Sequence, residues 1–371
     1  MLKGKLVIMK ICVYAICKNE LKFVDAWVKS MSEADYICVL DTGSTDGTYE
    51  KLQSYSNVIV EQKVISPWRF DVARNESMKL IPDDADMCVC VDLDERFVAG
   101  WRKILEARLD GTIDQVYYKY VWNFNPDGSE GVTFFANKMH RRKGFRWKHP
   151  VHEIITADKS DIRCITIPEL QLNHYADPTK SRSQYLPLLE LAVQEDPDSD
   201  RTVHYLGREY YFYRKYDEAI KTLLKHIDMP SATWVDERCA SLRYIARCYL
   251  AKHDKGNAIE YGKRAVAECP NSREPYYDLA VIYYVNNMWL DATVTLLVML
   301  NITDRKLNYI TNPECWGALP YDYLSMCYYY MHDYAKAIAY VDKAIAITPN
   351  DDRLINNRQE LLRLYNEVNA K

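Results

Sequence analysis

Cys88-Val89-Cys90-Val91-Asp92-Leu93-Asp94-Glu95 is the stretch on which the reading of this chain turns. A short apolar strand runs directly into carboxylates spaced one residue apart. An aspartate pair at the carboxyl end of a strand is a common way to hold a hard divalent cation, which in turn clamps a diphosphate. On an extended strand residues i and i+2 face one side, so Asp92 and Asp94 are expected to converge on one ion. Alone the triplet says little, because Asp-x-Asp also arises by chance in solvated turns. The segments around it give it weight.

Working outward, short apolar runs alternate with helical patterns. Lys10–Cys17 precedes a helix through Val24–Ser30, Tyr36–Leu40 precedes a helix after Asp46, and Asn57–Glu61 precedes a helix through Val72–Leu80 that leads into Met87–Val91. Strands separated by helices of about ten residues predict parallel βαβ units and a doubly wound α/β sheet. In such sheets ligands sit beyond the carboxyl ends of the strands. Asp41 and Asp92 both fall at such ends and are expected to face one crevice. From Val116 to Thr166 the texture changes to aromatic-rich strands and loops.

After Tyr185 the chain becomes helical and repetitive. Leu206-Gly207 with Tyr210, Ala219 and Leu223 is matched by Ile245-Ala246 with Tyr249, Ala258 and Ala265. It is matched again by Leu279-Ala280 with Tyr283 and Ala292, and by Leu324-Ser325 with Tyr328, Ala337, Ala344 and Pro349. The equivalent alanines stand 39, 34 and 45 residues apart, close to the tetratricopeptide period of about 34. A partial repeat with Ala192 and Pro197 precedes them, making about four and a half. Two domains are expected, residues 1–180 and 181–371, the second a solenoid suited to an extended peptide or another protein.

Bulk properties bound the function. The net charge of −4 argues against nucleic acid as a partner. The apolar stretch from Leu6 to Cys17 is short and interrupted by Lys10, so it reads as a first buried strand, not a signal or a membrane span. Eleven cysteines are scattered, several inside apolar runs, which fits reduced core thiols and a cytoplasmic location.

Three more segments complete the pattern. Upstream lies Ala15-Ile16-Cys17-Lys18-Asn19-Glu20. Asp41-Thr42-Gly43-Ser44-Thr45-Asp46-Gly47-Thr48 follows a strand and opens a helix. Phe70-Asp71-Val72-Ala73-Arg74-Asn75-Glu76 stands about a helix ahead of Asp92. In this order and spacing, residues 10–180 resemble glycosyltransferase family 2, inverting enzymes of GT-A type that use nucleotide sugars. The similarity is to a subgroup that includes lipopolysaccharide-core enzymes and the peptide S-glycosyltransferases of glycosylated bacteriocins. The latter also join such a domain to tetratricopeptide-like helices.

The resemblance implies a GT-A fold and a nucleotide-sugar site formed by Ala15, Asn19, Glu20, Asp41, Arg74 and Asp92, with uridine as the base. Asp41 would accept a hydrogen bond from the base, and Asp92 would face the ribose or a metal-bound water. Asp94 would bind Mn²⁺ or Mg²⁺ at the diphosphate, with His174 either completing the metal shell or taking a capping or core role. Within Trp147-Lys148-His149-Pro150-Val151-His152-Glu153, it implies Glu153 as the base that an inverting transfer needs, with His152 orienting it or touching the diphosphate. Glu95 is a competing carboxylate, and a structural pairing of His152 with Glu153 is the plain alternative. Arg141, Arg142, Lys143, Arg146 and Lys148 either form a solvated face or meet an anion, and Trp122 and Trp147 either wall a sugar or fill a core. The expected acceptor is a peptide or protein held by the repeats, which also offer a route to homo-oligomers. A lipid-linked or surface glycan is the alternative acceptor. A non-catalytic repeat scaffold is the alternative of another class.

Overall fold

A computed structural model describes residues 9–125, 127–178, 183–306, 309 and 311–370. Residues 6–8 of the expected first strand and the expected boundary at 180/181 lie outside these. The chain divides into two compact units, Met1–Gln194 and Glu195–Lys371.

The first unit begins with β1 (Ile11–Cys17), α1 (Leu21–Met31), β2 (Tyr36–Asp41), α2 (Thr48–Gln53), β3 (Val58–Gln62), α3 (Phe70–Met78) and β4 (Met87–Cys90). β5 (Glu95–Phe97), α4 (Trp101–Glu106), β6 (Gln115–Val121), β7 (Thr133–Arg141), β8 (Phe145–Lys148), β9 (Ile154–Ala157), β10 (Cys164–His174) and α5 (Tyr185–Glu195) complete it. Eight strands form one sheet in the order β3-β2-β1-β4-β7-β6-β10-β5, and β8 and β9 form a separate ribbon. β1 to β4 are mutually parallel, β7 is antiparallel to both neighbours, and β6 runs parallel to β10. The sheet is therefore mixed, with a parallel half built from the predicted βαβ units.

β1 is buried along its whole length, and its alternation feeds two cores. Ile11, Val13, Ala15 and Cys17 pack with Trp27 and Met31 of α1, while Cys12 and Tyr14 pack with Met78, Phe145 and Trp147 on the other face. A strand buried on both sides needs an unbroken apolar run, which is why the sequence shows one there. α1 supplies Phe23, Val24, Trp27, Val28 and Met31, a helical stripe facing the sheet. Since β7 reverses direction between β4 and β6, the strands β1, β2, β4, β6 and β10 all end at the same edge.

The second unit stacks helix pairs: α6 (Asp200–Phe212) with α7 (Tyr216–Asp228), α8 (Val235–Ala251) with α9 (Lys255–Glu268), α10 (Arg273–Val285) with α11 (Trp289–Leu300), and α12 (Leu319–Tyr330) with α13 (Tyr334–Ile347). α14 (Asp352–Asn369) follows. Ala219, Ala258, Ala292 and Ala337 are fully buried. Gly207 permits the closest approach: a Cβ there would meet Leu223 Cγ at 2.5 Å.

The turns inside the pairs share one device. Arg214, His253, Asn287 and His332 all have φ near +60°, at the 39-, 34- and 45-residue intervals of the alanines. The N–H of the next residue donates to the carbonyl of Tyr210, Tyr249, Tyr283 or Tyr328, five residues back. The left-handed residue's own N–H donates to the carbonyl three residues back. These paired bonds are a Schellman motif, and they satisfy carbonyls that a helix end would leave orphaned.

All eleven cysteines are free thiols and ten are buried. Among the described residues, no helix is long and apolar enough to cross a membrane.

Candidate functional site

Two groups of expected residues gather at the carboxyl edge of the sheet. The first knits the end of β1 to the end of β2. Asn19 accepts from Thr45 N through Oδ1 (2.8 Å) and donates its own N–H to Ser44 Oγ (2.8 Å), while Glu20 N donates to Thr48 Oγ1 (2.8 Å). Asp46 accepts from Leu21 N and Thr48 N, which ties both helix starts to the loop. Asp41 is fully buried. Its Oδ1 accepts from Gly43 N, Ser44 N and Gln62 Nε2 at 2.8–3.0 Å, and Oδ2 lies 3.4 Å from the Cys17 thiol. Burial pushes the Asp41 carboxyl up, but the hydrogen bonds from Ser44, Gln62 and Gly43 outweigh it and hold it below its ordinary value. Asp41 thus organises the loop, and a ligand would have to replace one of these partners to reach it. Ala15, expected beside the donor, is fully buried in the core with Val13 and Val39; it reaches no ligand-accessible surface.

The second group is a buried charge cluster. Arg74, on α3, donates Nη1 and Nη2 to the two oxygens of Asp92 (2.8 and 3.1 Å) and Nε to Glu153 Oε1. Its guanidinium lies 5.1 Å from the Trp147 ring centroid. Lys138 of β7 reaches Glu95 Oε1 at 2.8 Å and Asp92 Oδ2 at 3.4 Å. Glu95 also accepts from Tyr120 OH (2.7 Å) and from Asp92 N (2.9 Å). Burial alone would neutralise Asp92, but Arg74 and Lys138 reverse that and hold its carboxyl far below the ordinary range. Burial pushes the Glu95 carboxyl up despite Lys138. Such bidentate, charge-assisted contacts fix geometry as well as charge.

Asp94 has a different described partner from Asp92. The strand ends at Cys90, the chain turns through Val91–Asp94 with Glu95 N donating to Asp92 O (2.9 Å), and the two aspartates face different partners. The expectation is therefore corrected: the two aspartates are not i and i+2 of one strand, since β4 ends at Cys90 and a turn covers Leu93–Asp94. Asp94 Oδ2 instead lies 3.5 Å from His174 Nε2 at the end of β10. His174 Nδ1 sits 2.9 Å from the Trp122 carbonyl, which only accepts, so the proton of the neutral ring is on Nδ1 and Nε2 carries the lone pair. Burial pulls the His174 pKa down, yet Asp94 and the Trp122 carbonyl together raise it above its ordinary value. The exposed Trp122 ring packs 4.7 Å from His174, and Tyr120 lies between this pair and the charge cluster.

The donor set at this edge fits a divalent cation. Asp92, Glu95 and Glu153 meet Arg74 and Lys138, and Asp94 meets His174. A ligating histidine whose other nitrogen donates to a carbonyl is the usual outer-shell arrangement of a metal site.

Other expected residues have quieter roles. Arg141 and Arg142 donate to the carbonyls of Ile113 and Ile81, and Arg146 faces Asp158. They do not join the charge cluster. Trp147 is buried and donates Nε1 to Tyr14 OH (2.8 Å), a core role, whereas Trp122 is surface-exposed. His152 adopts φ +49° and packs edge-on to Tyr185 at 5.6 Å. Glu153 bonds Arg74 rather than pairing with its neighbour. Lys138, which opens the basic run to Lys148, Tyr120, and Cys90, which lies 2.9 Å from Arg74 Nη1, are given no site role by the sequence. A lysine in the middle of a strand, flanked by Asn137 and Met139, was the available signal for Lys138.

A family model described as tetratricopeptide repeat matches residues 318–351. The lipopolysaccharide core biosynthesis glycosyltransferase LpsC of Rhizobium meliloti (strain 1021) is 29% identical over 102 residues, which is 27% of this chain. The match spans 37% of that relative's length, little more than a third. Among solved structures, YrrB, a TPR protein with an unusual peptide-binding site, is 17% identical with a TM-score of 0.37, covering 47% of this chain and 82% of its own. The C-terminal part of a TPR repeat-containing protein from Cytophaga hutchinsonii is 17% identical with a TM-score of 0.42, covering 50% and 67%.

Proposed function

We propose that this chain is an inverting glycosyltransferase that uses a nucleotide-sugar donor, with Mn²⁺ or Mg²⁺ held at Asp94 and His174. The observation that carries this reading is the 3.5 Å approach of Asp94 Oδ2 to His174 Nε2, with the ring's other nitrogen on the Trp122 carbonyl, beside a carboxylate-rich cluster at the carboxyl edge of the mixed sheet. A bound divalent ion would supply Lewis-acid neutralisation of the charge that develops on a departing diphosphate. The remaining work falls to the protein. The loop organised by Asp41 and Asn19 forms the wall near the nucleotide. Arg74 binds both Asp92 and Glu153 and takes Glu153 Oε1, so Oε2 is the oxygen that accepts the acceptor's proton. As that proton moves, the acceptor atom bonds to the anomeric carbon and the carbon–oxygen bond to the diphosphate breaks, with inversion. Trp122 offers a ring face to the sugar. The helical unit presents a peptide or protein acceptor.

The test is a thermal-shift and hydrolysis screen of UDP-, GDP-, CMP- and dTDP-sugars with and without Mn²⁺, on wild type, Asp94→Ala and Glu153→Gln. The expected result is stabilisation by one nucleotide class that requires the ion and is lost in Asp94→Ala. Glu153→Gln should keep donor binding and lose transfer. Indifference to every donor would overturn the reading, and wild-type transfer by Glu153→Gln would overturn the base assignment.

A further inference from the structure

We infer that the helical unit carries a second, independent site for a divalent transition-metal ion of the Zn²⁺ class, formed by Asp200, His226 and Glu237. These residues come from α6, α7 and α8, and one ligand atom of each lies within 4.8 Å of the others. His226 is fully buried and Glu237 only 3% exposed. His226 Nε2 and Glu237 Oε2 have no hydrogen-bond partner among the described residues. Leaving two such buried polar atoms unsatisfied is costly unless something between them bonds both.

The wiring behind His226 selects a metal ligand. Ser241 Oγ lies 2.8 Å from both His226 Nδ1 and His204 Nδ1, and His204 Nε2 lies 2.8 Å from Tyr309 OH. Ser241 has one proton. When that proton goes to His204, His226 Nδ1–H donates to Ser241 and the Nε2 lone pair points at Glu237. The opposite wiring would put a proton on Nε2, but Glu237 Oε1 is 3.6 Å away, too far for that bond. Two ligands each about 2.1 Å from a tetrahedral ion lie about 3.4 Å apart, close to the 3.6 Å between His226 Nε2 and Glu237 Oε1. One nitrogen and two carboxylates suit a borderline ion better than Mg²⁺ or Ca²⁺. Arg201 Nη1, 4.0 Å from Glu237 Oε2, is the rival partner of that carboxylate. Asp200 is only partly buried, which leaves the fourth position open to water and gives the ion a way in. A bound ion would pin three successive helices at the start of the unit.

The experiment uses the full-length chain carrying Asp94→Asn and His174→Gln, so that the first unit's acidic edge does not contribute. After chelation, Zn²⁺ and Co²⁺ are titrated with Mg²⁺ as the hard-ion control, and bound metal, the Co²⁺ visible spectrum and Tm are read. The expected result is one equivalent of Zn²⁺, a raised Tm, and tetrahedral Co²⁺ bands without thiolate charge transfer. Ser241→Ala should weaken binding about 10- to 100-fold, and His226→Gln more than that. Asp200→Asn, at a helix start on the surface, should weaken binding without changing the helical spectrum of the metal-free protein. It is informative even if His226→Gln does not fold. Unchanged Zn²⁺ affinity in Asp200→Asn and Ser241→Ala, a thiolate band with Co²⁺, or no equivalent bound at all would overturn the site.

Discussion

Lys138→Met tests whether the first unit's charge cluster is held together as described. Lys138 bonds Glu95 at 2.8 Å, and Glu95 is 2% exposed. Removing one partner of a buried ion pair costs about 3–5 kcal/mol, because the other charge is stranded. Two features of this site lower that figure. A quarter of the Lys138 side chain is exposed, so water can partly replace it. Glu95 also keeps its bonds from Tyr120 OH and Asp92 N, and Asp92 keeps both bonds from Arg74. The expected loss is therefore about 2–3 kcal/mol, at or below the lower end of that range. Adding Glu95→Gln removes the stranded charge while an amide oxygen remains to accept, so the double variant should regain about 1–2 kcal/mol over Lys138→Met. Urea unfolding followed by tryptophan fluorescence reads this out, since five of the eight tryptophans lie before residue 195. If Lys138→Met costs under about 0.5 kcal/mol, or if Glu95→Gln adds its full separate cost on top, the cluster is not coupled as argued.

Three further outcomes are expected. Burial lowers the pKa of His140 to about 4, while Tyr14 OH and the Arg141 carbonyl hold the neutral ring. Its contribution is therefore complete above the ordinary value of 6.5 and is lost as pH falls from there towards 4. The loss, about 3 kcal/mol at about 1.4 kcal/mol per unit, should vanish in His140→Gln when unfolding is followed against pH. Gly207→Ala should destabilise the helical unit by about 1–3 kcal/mol in thermal unfolding followed by circular dichroism, because its Cβ collides with the buried Leu223; a neutral result would mean that the α6–α7 approach is looser than described. Arg214→Gly should stabilise the same unit by about 0.5–1 kcal/mol and Arg214→Val should destabilise it, since φ of +57° suits glycine and penalises a β-branched residue.

What could be read from sequence follows from how local its cause is. The βαβ half was legible because a strand buried on both faces must be apolar throughout, as Ile11–Cys17 is, and because α1 shows its helical stripe. The repeats were legible through Ala219, Ala258, Ala292 and Ala337, whose small size the helix packing requires. The Schellman turns escaped notice because arginine, histidine and asparagine occupy the left-handed position where glycine would have announced it. The turn after β4 also escaped: Asp92-Leu93-Asp94 reads equally well as strand or turn, and long-range partners decide it. Arg74 and Lys138 draw Asp92 one way, and His174, eighty residues on, faces Asp94. The roles of Lys138 and Glu95 depend on β7 pairing antiparallel with β4, a non-local register that no window of sequence contains.

Buried charge gives a common measure of the polar clusters in both units. Asp278 is flanked by Arg243 and Arg247 at 2.7 and 2.6 Å. There the cations outnumber the carboxylate, so the cluster needs nothing from outside and reads as helix-to-helix fastening between α8 and α10. At the sheet edge the described ion pairs instead set three carboxylates, Asp92, Glu95 and Glu153, against Arg74 and Lys138. Asp200 and Glu237 gather around His226, with Arg201 Nη1 4.0 Å from Glu237 Oε2. Uncompensated negative charge in a low-dielectric setting has to be met by a proton or by a cation. At the sheet edge Asp92 is driven towards its ionised form by Arg74 and Lys138, so the proton route is closed for that member of the cluster. Asp94 Oδ2, 3.5 Å from His174 Nε2, marks where a cation would take a carboxylate oxygen and, from the neutral ring, a nitrogen ligand.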